Sequence, residues 1–356
     1  MLTKPGTTTH NEILEQPQAW NDVLAVLDEK RAELGAWMKA ENFGQVLLVG
    51  CGSSYHAGLT AARTFHGIAG VNGIALPASE VLYAQRPPYD IRIKTLLIAV
   101  SRSGETSETV WAVEKLKRID GRLKILAVTC KENSELQGLA HQTLVFPKLH
   151  EESVISTRSY TGSLLALQVL AAWLSANDAF LAELKKIPEL TDVKKHTTEV
   201  QKAVALKPQH VTFLGNGACY GLAAASSLLV REMAGMPSDY MHLLEFRHGP
   251  QAAVLPNHMI VAFLSDTLRK AEEDMVREIA VMRGPRMVIC SEADNKTKMG
   301  TEFVFELGHD LSELARPVRE VTIVQLLGFY LAIQRGHNPD RPKHVQALIK
   351  LKEKIG

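Results

Sequence analysis

Cysteine is scarce in this chain: there are four in 356 residues, Cys51, Cys130, Cys219 and Cys290. They lie far apart, each in or at the end of an aliphatic run and without C-x-x-C spacing. This excludes a disulfide scaffold or a zinc ribbon and leaves buried, reduced thiols. No run of about eighteen uncharged apolar residues occurs, so no segment reads as a membrane-spanning helix. The opening stretch from Met1 to Trp20 carries Pro5, Glu12, Glu15 and Pro17 and lacks an apolar h-region. No secretory leader is therefore expected, and the protein is expected in the cytoplasm. Charge of one sign is also missing. A formal net charge of +1 offers no field for nucleic acid or an anionic membrane, and neither is expected as a partner. There is no G-x-x-x-x-G-K string followed by Ser or Thr, which sets a nucleotide-triphosphate loop aside.

What is present is a soluble composition, 46% hydrophobic and 22% charged, in a chain longer than one core usually sustains, so two domains are expected. Two aliphatic runs, Val46 to Val49 and Leu96 to Val100, each deliver the chain into a turn rich in Gly, Ser and Thr. The turns are Cys51-Gly-Ser-Ser-Tyr55 and Ser101-Arg-Ser-Gly-Glu-Thr-Ser107, and a helical pattern follows each. Hydroxyls and unpaired N–H groups at a helix N-terminus suit a dianionic phosphate, since dipole and donors point at the anion. That combination reads as a phosphosugar site. Val49-Gly-Cys-Gly-Ser-Ser54 lacks the third glycine and the spacing of a dinucleotide fingerprint, and no metal or cofactor is expected. Helix capping alone would account for one such hydroxyl. Ser101, Ser103, Thr106 and Ser107 together point to a ligand.

The pattern recurs. Val46-Leu-Leu-Val-Gly-Cys-Gly-Ser-Ser-Tyr55 aligns with Val211-Thr-Phe-Leu-Gly-Asn-Gly-Ala-Cys-Tyr220 at an offset of 165 residues, and the same offset carries Ala69-Gly70 onto Ala234-Gly235. Strand-like runs at Thr95 to Val100 and Lys124 to Thr129 have counterparts at Met259 to Leu264 and Arg286 to Cys290. Aliphatic runs separated by helix-length segments predict two α/β halves, each a doubly wound parallel sheet with its ligand beyond the carboxyl ends of the strands. Where the first half has Ser101-Arg-Ser-Gly-Glu-Thr, the second has Ser265-Asp-Thr-Leu-Arg-Lys, without a glycine, so one phosphate site per chain is expected. The boundaries expected are a helical segment over 1–40, a phosphosugar-binding domain over 41–187, a linker over 188–208, a second domain over 209–335 and a turn-rich tail over 336–356. Trp20, Val23, Leu24, Val26, Leu27 and Leu34 give the first segment an amphipathic face for its own domain or a second subunit. Lys194, Lys195 and His196 in the linker are expected on a solvated helix face.

These strings together resemble the sugar isomerase (SIS) family, in the double-SIS form of the isomerase half of glucosamine-6-phosphate synthase and its relatives. The resemblance covers nearly the whole chain, from Glu12-Ile-Leu-Glu-Gln-Pro17 to Arg341-Pro342. It implies two tandem SIS domains, each a flavodoxin-like three-layer α/β/α sandwich. It also implies that Ser101, Ser103 and Thr106 hold the phosphate, with the Arg102 backbone between them. Ser53 and Ser54 approach from the turn they share with Cys51 and Gly52, and these four complete the binding set on that side. The segment from Glu151 to Arg158 matches one in which the backbone near Val154 and the Ser156 hydroxyl contact sugar oxygens. The side chains of Arg102 and Arg158 are expected to face solvent at least as readily as the anion.

By the same resemblance the chemistry lies in the second half. Glu232, late in the helix after the second Gly-rich turn, falls on the family's carboxylate that moves a proton between C1 and C2 of the open-chain sugar, by way of a cis-enediol or an enolamine. Sixteen residues on, Glu245-Phe-Arg-His-Gly-Pro250 resembles the family's G-E-x-x-H-G-P loop. Its histidine, here His248, helps open the ring and is donated by a neighbouring subunit, which implies a homodimer. His242 and His258 have no such companions and are expected to be structural. Two positions depart from the family. Leu229 and Ala347 stand where the synthase has lysines, with Lys343 and Lys350 as nearby candidates for the second, so a Schiff-base step is not assured.

The function expected is that of an aminosugar-6-phosphate deaminase and isomerase. A deglycase of 6-phosphorylated Amadori compounds, a simple ketose–aldose isomerase and a non-catalytic phosphosugar sensor are the alternatives. Mere binding needs no proton shuttle, so Glu232 and His248 argue against the sensor. The chain begins at the isomerase-type segment without an N-terminal Cys nucleophile, so neither glutaminase activity nor glucosamine 6-phosphate synthesis is expected.

Overall fold

The computed structural model describes residues 4–354, which form two compact units. The first comprises residues 15–151, 158–188 and 346–354; the second comprises 4–14, 152–157 and 189–345. Each unit thus takes a short segment from the sequence span of the other.

In the first unit, β1 (Gln45–Gly50), β2 (Asn72–Pro77), β3 (Thr95–Val100), β4 (Lys124–Thr129) and β5 (Gln142–Val145) form one parallel sheet in the order β2-β1-β3-β4-β5. Every residue of β1 and β3 is buried, as continuous aliphatic strands covered on both faces must be. Alternate residues Leu47, Val49, Leu97, Ala99, Ile125 and Ala127 pack one face against Ala112, Val113 and Leu116 of the helix Ser107–Ile119. On the other face the helix Ser53–Ala69 lies so close that a Cβ on Gly58 would sit 3.2 Å from the Leu48 Cβ. The amino-terminal segment is two helices, Thr7–Leu14 and Gln16–Glu41, broken at Glu15 just before Pro17. The longer buries Trp20, Val23, Leu24 and Leu27 within the first unit, and the Trp20 indole donates to Thr161 Oγ1 (2.9 Å).

The second unit repeats this order. Its strands β6 (His210–Leu214), β7 (Ser238–Met241), β8 (His258–Phe263), β9 (Arg286–Cys290) and β10 (Phe303–Glu306) form a parallel sheet β10-β9-β8-β6-β7, the same path traced from the opposite edge. The two Gly-rich turns share their backbone: Gly52 has φ 54° and ψ −126°, and Gly217 has φ 55° and ψ −124°. Each opens a 17-residue helix, Ser53–Ala69 or Ala218–Ala234, that ends in a left-handed glycine, Gly70 or Gly235.

The stretch expected as a linker contributes the helix Thr197–Ala205 to the second unit. Lys194 and Lys195 are exposed there, but His196 corrects the expectation of a wholly solvated face. Its ring stands edge-on to Phe305 (5.5 Å), and burial lowers its pKa to about 4. Cys130, Cys219 and Cys290 are buried and Cys51 half-buried, all as free thiols. No described helix is long and apolar enough to cross a membrane.

Candidate functional site

Both turns of the first unit leave the carboxyl ends of neighbouring strands, β1 and β3, and this topology brings them side by side. The Cys51 Sγ reaches Thr109 Oγ1 (3.4 Å) in the helix that follows the second turn, and burial pushes its thiol pKa up. Ser53 and Ser54 occupy the first turn of their helix with side chains half-buried.

The second turn is held by its own hydroxyls. Ser101 Oγ accepts from the Gly104 N–H (3.1 Å) and lies 3.3 Å from Thr106 Oγ1, while Ser103 Oγ accepts from the Glu105 N–H (3.2 Å). Thr106 is the residue before the helix Ser107–Ile119, so the turn leads into the positive end of a helix. Gly104 is required twice over. Its φ is +64°, and a Cβ there would lie 2.3 Å from Ser134 Oγ.

Arg102 is not a solvent-facing charge, which corrects the expectation. Its guanidinium pairs with the fully buried Glu151 (Oε2, 3.0 Å) and donates to the Ala347 carbonyl (3.0 Å). Glu151 also accepts from the Ser159 N–H (3.1 Å) and the Ser159 hydroxyl, so Arg102 ties the turn to the start of the helix Arg158–Leu174. Arg158 is likewise engaged, with the His150 carbonyl and with Glu15 (3.4 Å).

The carboxyl-terminal segment runs against this turn, which the sequence did not indicate. The Ile349 carbonyl accepts from the Ser107 N–H (3.3 Å), and the Leu351 N–H donates to Ser107 Oγ (2.9 Å). Lys350 pairs with Glu105 (3.0 Å) and Glu135 (3.1 Å), and these bonds hold its ammonium above the usual lysine pKa. An amine kept protonated between two carboxylates is a poor carbonyl nucleophile. Lys343 is exposed and belongs to the second unit.

Val154, Ser156, Glu232 and His248 all fall in the second unit, and the two turns in the first. A helix that follows a parallel strand runs back along the sheet, so Ala218 lies at the carboxyl ends of the strands and Glu232, in the last turn, at their amino ends. Arg231 beside it clamps the Ser238 carbonyl (Nε, 2.6 Å) at the start of β7. Residues 335–340 connect this helix end to the Val154 segment. Arg335 donates to the Ala234 carbonyl (3.0 Å), and the Val154 N–H donates to the Asp340 carbonyl (3.1 Å). Asp340 in turn accepts from Thr9 (N–H and hydroxyl, both 2.8 Å) and from the Gly6 N–H (3.0 Å). His248 is exposed just after the short 3-10 turn Leu244–Arg247. His242, which is exposed, stacks on Tyr220 (3.9 Å), and buried His258 bonds Thr212 (2.8 Å).

The turn after β8 has chemistry of its own. The N–H groups of Asp266 and Thr267 and the Thr267 hydroxyl all donate to Glu313 Oε2 (2.9, 3.0 and 3.0 Å). The N–H and hydroxyl of Ser265 donate to Glu272 Oε2 (2.6 and 3.0 Å). Burial raises the Glu272 pKa, against the bond from Asn216 (2.7 Å). Among the described residues no group of three or more His, Cys, Asp and Glu side chains could hold a metal ion.

Comparison with known proteins matches residues 41–173 to the SIS domain family. The chain is 30% identical over 346 residues to a glutamine–fructose-6-phosphate aminotransferase (isomerizing) of Thermococcus kodakarensis, covering 94% of this chain and 56% of that protein. It therefore spans little more than half the length of that relative. Among solved structures it is similar to glucosamine-6-phosphate deaminase of Thermotoga maritima, with a TM-score of 0.78 and 27% identity over 97% of this chain and 100% of that one. It is also similar to the C-terminal domain of glucosamine-fructose-6-phosphate aminotransferase from Francisella tularensis, with a TM-score of 0.81 and 26% identity over 93% and 96% of the two chains.

Proposed function

From a chain that carries an SIS domain and is homologous to the isomerase part of the glutamine–fructose-6-phosphate aminotransferases, we propose an enzyme acting on a 6-phosphosugar with nitrogen at C1 or C2. The leading reading is an aminosugar-6-phosphate deaminase and isomerase. The observation that carries it is the Ser101–Thr106 turn, whose hydroxyls and N–H groups gather at the head of a helix beyond a parallel sheet.

In this reading Ser101, Ser103 and Thr106 hold the phosphate, with Cys51, Gly52, Ser53, Ser54 and the Arg102 backbone around them. Glu232 moves the proton between C1 and C2, His248 exchanges protons with the ring oxygen during opening, and Val154 and Ser156 meet sugar oxygens. The second unit is then a diverged SIS domain, and its likeness of strand order and turn geometry to the first supports this. The exposed His248 suits donation to a partner's site in a homodimer. Mixing inactive Glu232→Gln chains with inactive His248→Ala chains would then recover up to about a quarter of wild-type sites, the expectation for random two-fold pairing. No recovery after verified subunit exchange counts against sharing.

A deglycase of fructosamine 6-phosphates is the second reading. Leu229 and Ala347 stand at the family's lysine positions, and Lys350 is committed to Glu105 and Glu135, while a ketosamine substrate needs no lysine to reach its carbonyl state. A turnover panel of 2-amino-2-deoxyhexose 6-phosphates and fructosamine 6-phosphates decides between the two. Ammonia released from the first set supports the deaminase, and free amine with glucose 6-phosphate from the second supports the deglycase. Inertness toward both sinks the enzyme reading.

A further inference from the structure

The turn assigned to the phosphate carries a carboxylate of its own. Glu105 lies between Gly104 and Thr106, and only 15% of its side chain is exposed. A carboxylate in a partly dry turn opposes the approach of a second anion, because like charges at short range repel most where water is thin. The protein covers this carboxylate with two ammonium groups. Lys131 pairs with Glu105 Oε1, and Lys350 with Oε2 at 3.0 Å. The bonds from Lys131 and then Lys350 hold the Glu105 carboxyl below the usual range.

Lys350 is not delivered by a loose tail. Its segment is fastened to the same turn through the Ser107 N–H to the Ile349 carbonyl, the Leu351 N–H to the Ser107 hydroxyl, and Arg102 to the Ala347 carbonyl. A further pair joins Lys354 to Glu114 (2.6 Å) on the helix that follows. Lys131 falls on no position that the phosphosugar reading uses, and Lys350, a candidate for the family's second lysine, is engaged with two carboxylates instead.

We propose that Lys131 and Lys350 are positioning residues that set the affinity of the Ser101 turn for a phosphate monoester, by neutralising Glu105, with Lys350 also paired to Glu135 (3.1 Å). The carboxyl-terminal segment is then part of the binding apparatus without supplying a reacting amine. This rests on the phosphosugar reading of the turn.

The test is calorimetric titration of the full chain with inorganic phosphate and with glucose 6-phosphate. Lys131→Met with Lys350→Met should weaken both at least tenfold, more steeply at low salt. Adding Glu105→Gln to that pair should return affinity to within about threefold of wild type, and Lys131→Arg with Lys350→Arg should keep it. Unchanged affinity in a folded double-Met variant overturns the proposal. So does a loss that Glu105→Gln does not restore, since it would mean that the lysines touch the ligand or only hold the segment. Ser101→Ala with Thr106→Ala, titrated alongside, separates the two readings. If it binds as wild type does, or if wild type binds neither probe, the phosphosugar reading itself fails.

Discussion

The turns after β3 and β8 occupy the same place in two sheets of the same strand order, yet they treat their donors in opposite ways. After β3, the hydroxyls of Ser103 and Thr106 are half-buried and the turn is cross-braced by Ser101. After β8, five donors on Ser265, Asp266 and Thr267 end on two carboxylates of the chain itself, Glu272 and Glu313. A carboxylate brought in by the fold satisfies the groups that an incoming anion would need, and for the buried Ser265 a donor left without a partner would be costly. Shared topology therefore does not fix which groups satisfy a turn's donors. After β8 they are carboxylates of the chain, and after β3 they include the turn's own hydroxyls.

The largest expected effect separates binding in the first unit from chemistry in the second. Glu232→Gln should lower kcat on the order of a hundredfold or more while phosphosugar affinity stays near wild type, as for a lost general acid–base group. Wild type in D2O should place deuterium at C1 or C2 of the product. Equal turnover by the variant would return Glu232 to an ordinary helix residue and break the division of labour.

On the binding side, Ser101→Ala with Thr106→Ala should weaken phosphosugar binding by roughly 1.5 to 3 kcal/mol for each lost bond to a charged group. The matched pair Ser265→Ala with Thr267→Ala should leave that affinity unchanged. Calorimetry on both variants sharpens the contrast, and equal losses would erase it.

Glu313→Ala tests the second turn directly. It strips the acceptor from the exposed Asp266 and Thr267 and should destabilise the protein by about 0.5 to 1.5 kcal/mol. Sulfate or phosphate should then raise the variant's Tm more than that of wild type, because the donors remain in place. A Tm equally insensitive to anions in both proteins would show that the turn is no vestigial anion site.

The smallest effect is a pH dependence confined to the second unit. His196 titrates near 6.5 when unfolded, and burial first, then Lys195, lowers it to about 4 in the fold. The unfolded chain therefore binds the extra proton between those values. The stability is present above about pH 6.5 and lost as pH falls toward 4, on the order of 1 kcal/mol after screening for the ring's partial exposure. His196→Gln should flatten melting curves over that window. An unchanged slope would assign the dependence to another group.

Much of this architecture was legible locally. Thr95–Val100, Lys124–Thr129 and Arg286–Cys290 are strands over the spans that their aliphatic runs predict, because strands buried on both faces leave no polar period to mislead. The repeat of Gly52 in Gly217 was legible too, since one left-handed backbone position demands the same residue in both places. His196 was misjudged because its lysine neighbours are exposed and its partner, Phe305, lies 109 residues away. Arg102 was misjudged for the same kind of reason: nothing near it in sequence announces the buried Glu151.

Sequence alone determined the strands, the two Gly-rich turns, the helix ends and the hydroxyls offered at the Ser101 turn, since each depends on residues a few positions apart. Only the tertiary structure decided which charges meet those hydroxyls and N–H groups. Glu313 closes on Thr267 across 46 residues, and Ala347 accepts from Arg102 across 245. Such pairings follow from how the packed helices and sheets return distant segments to one place. A carboxylate or a carbonyl carries no local signal of the donor that it will satisfy.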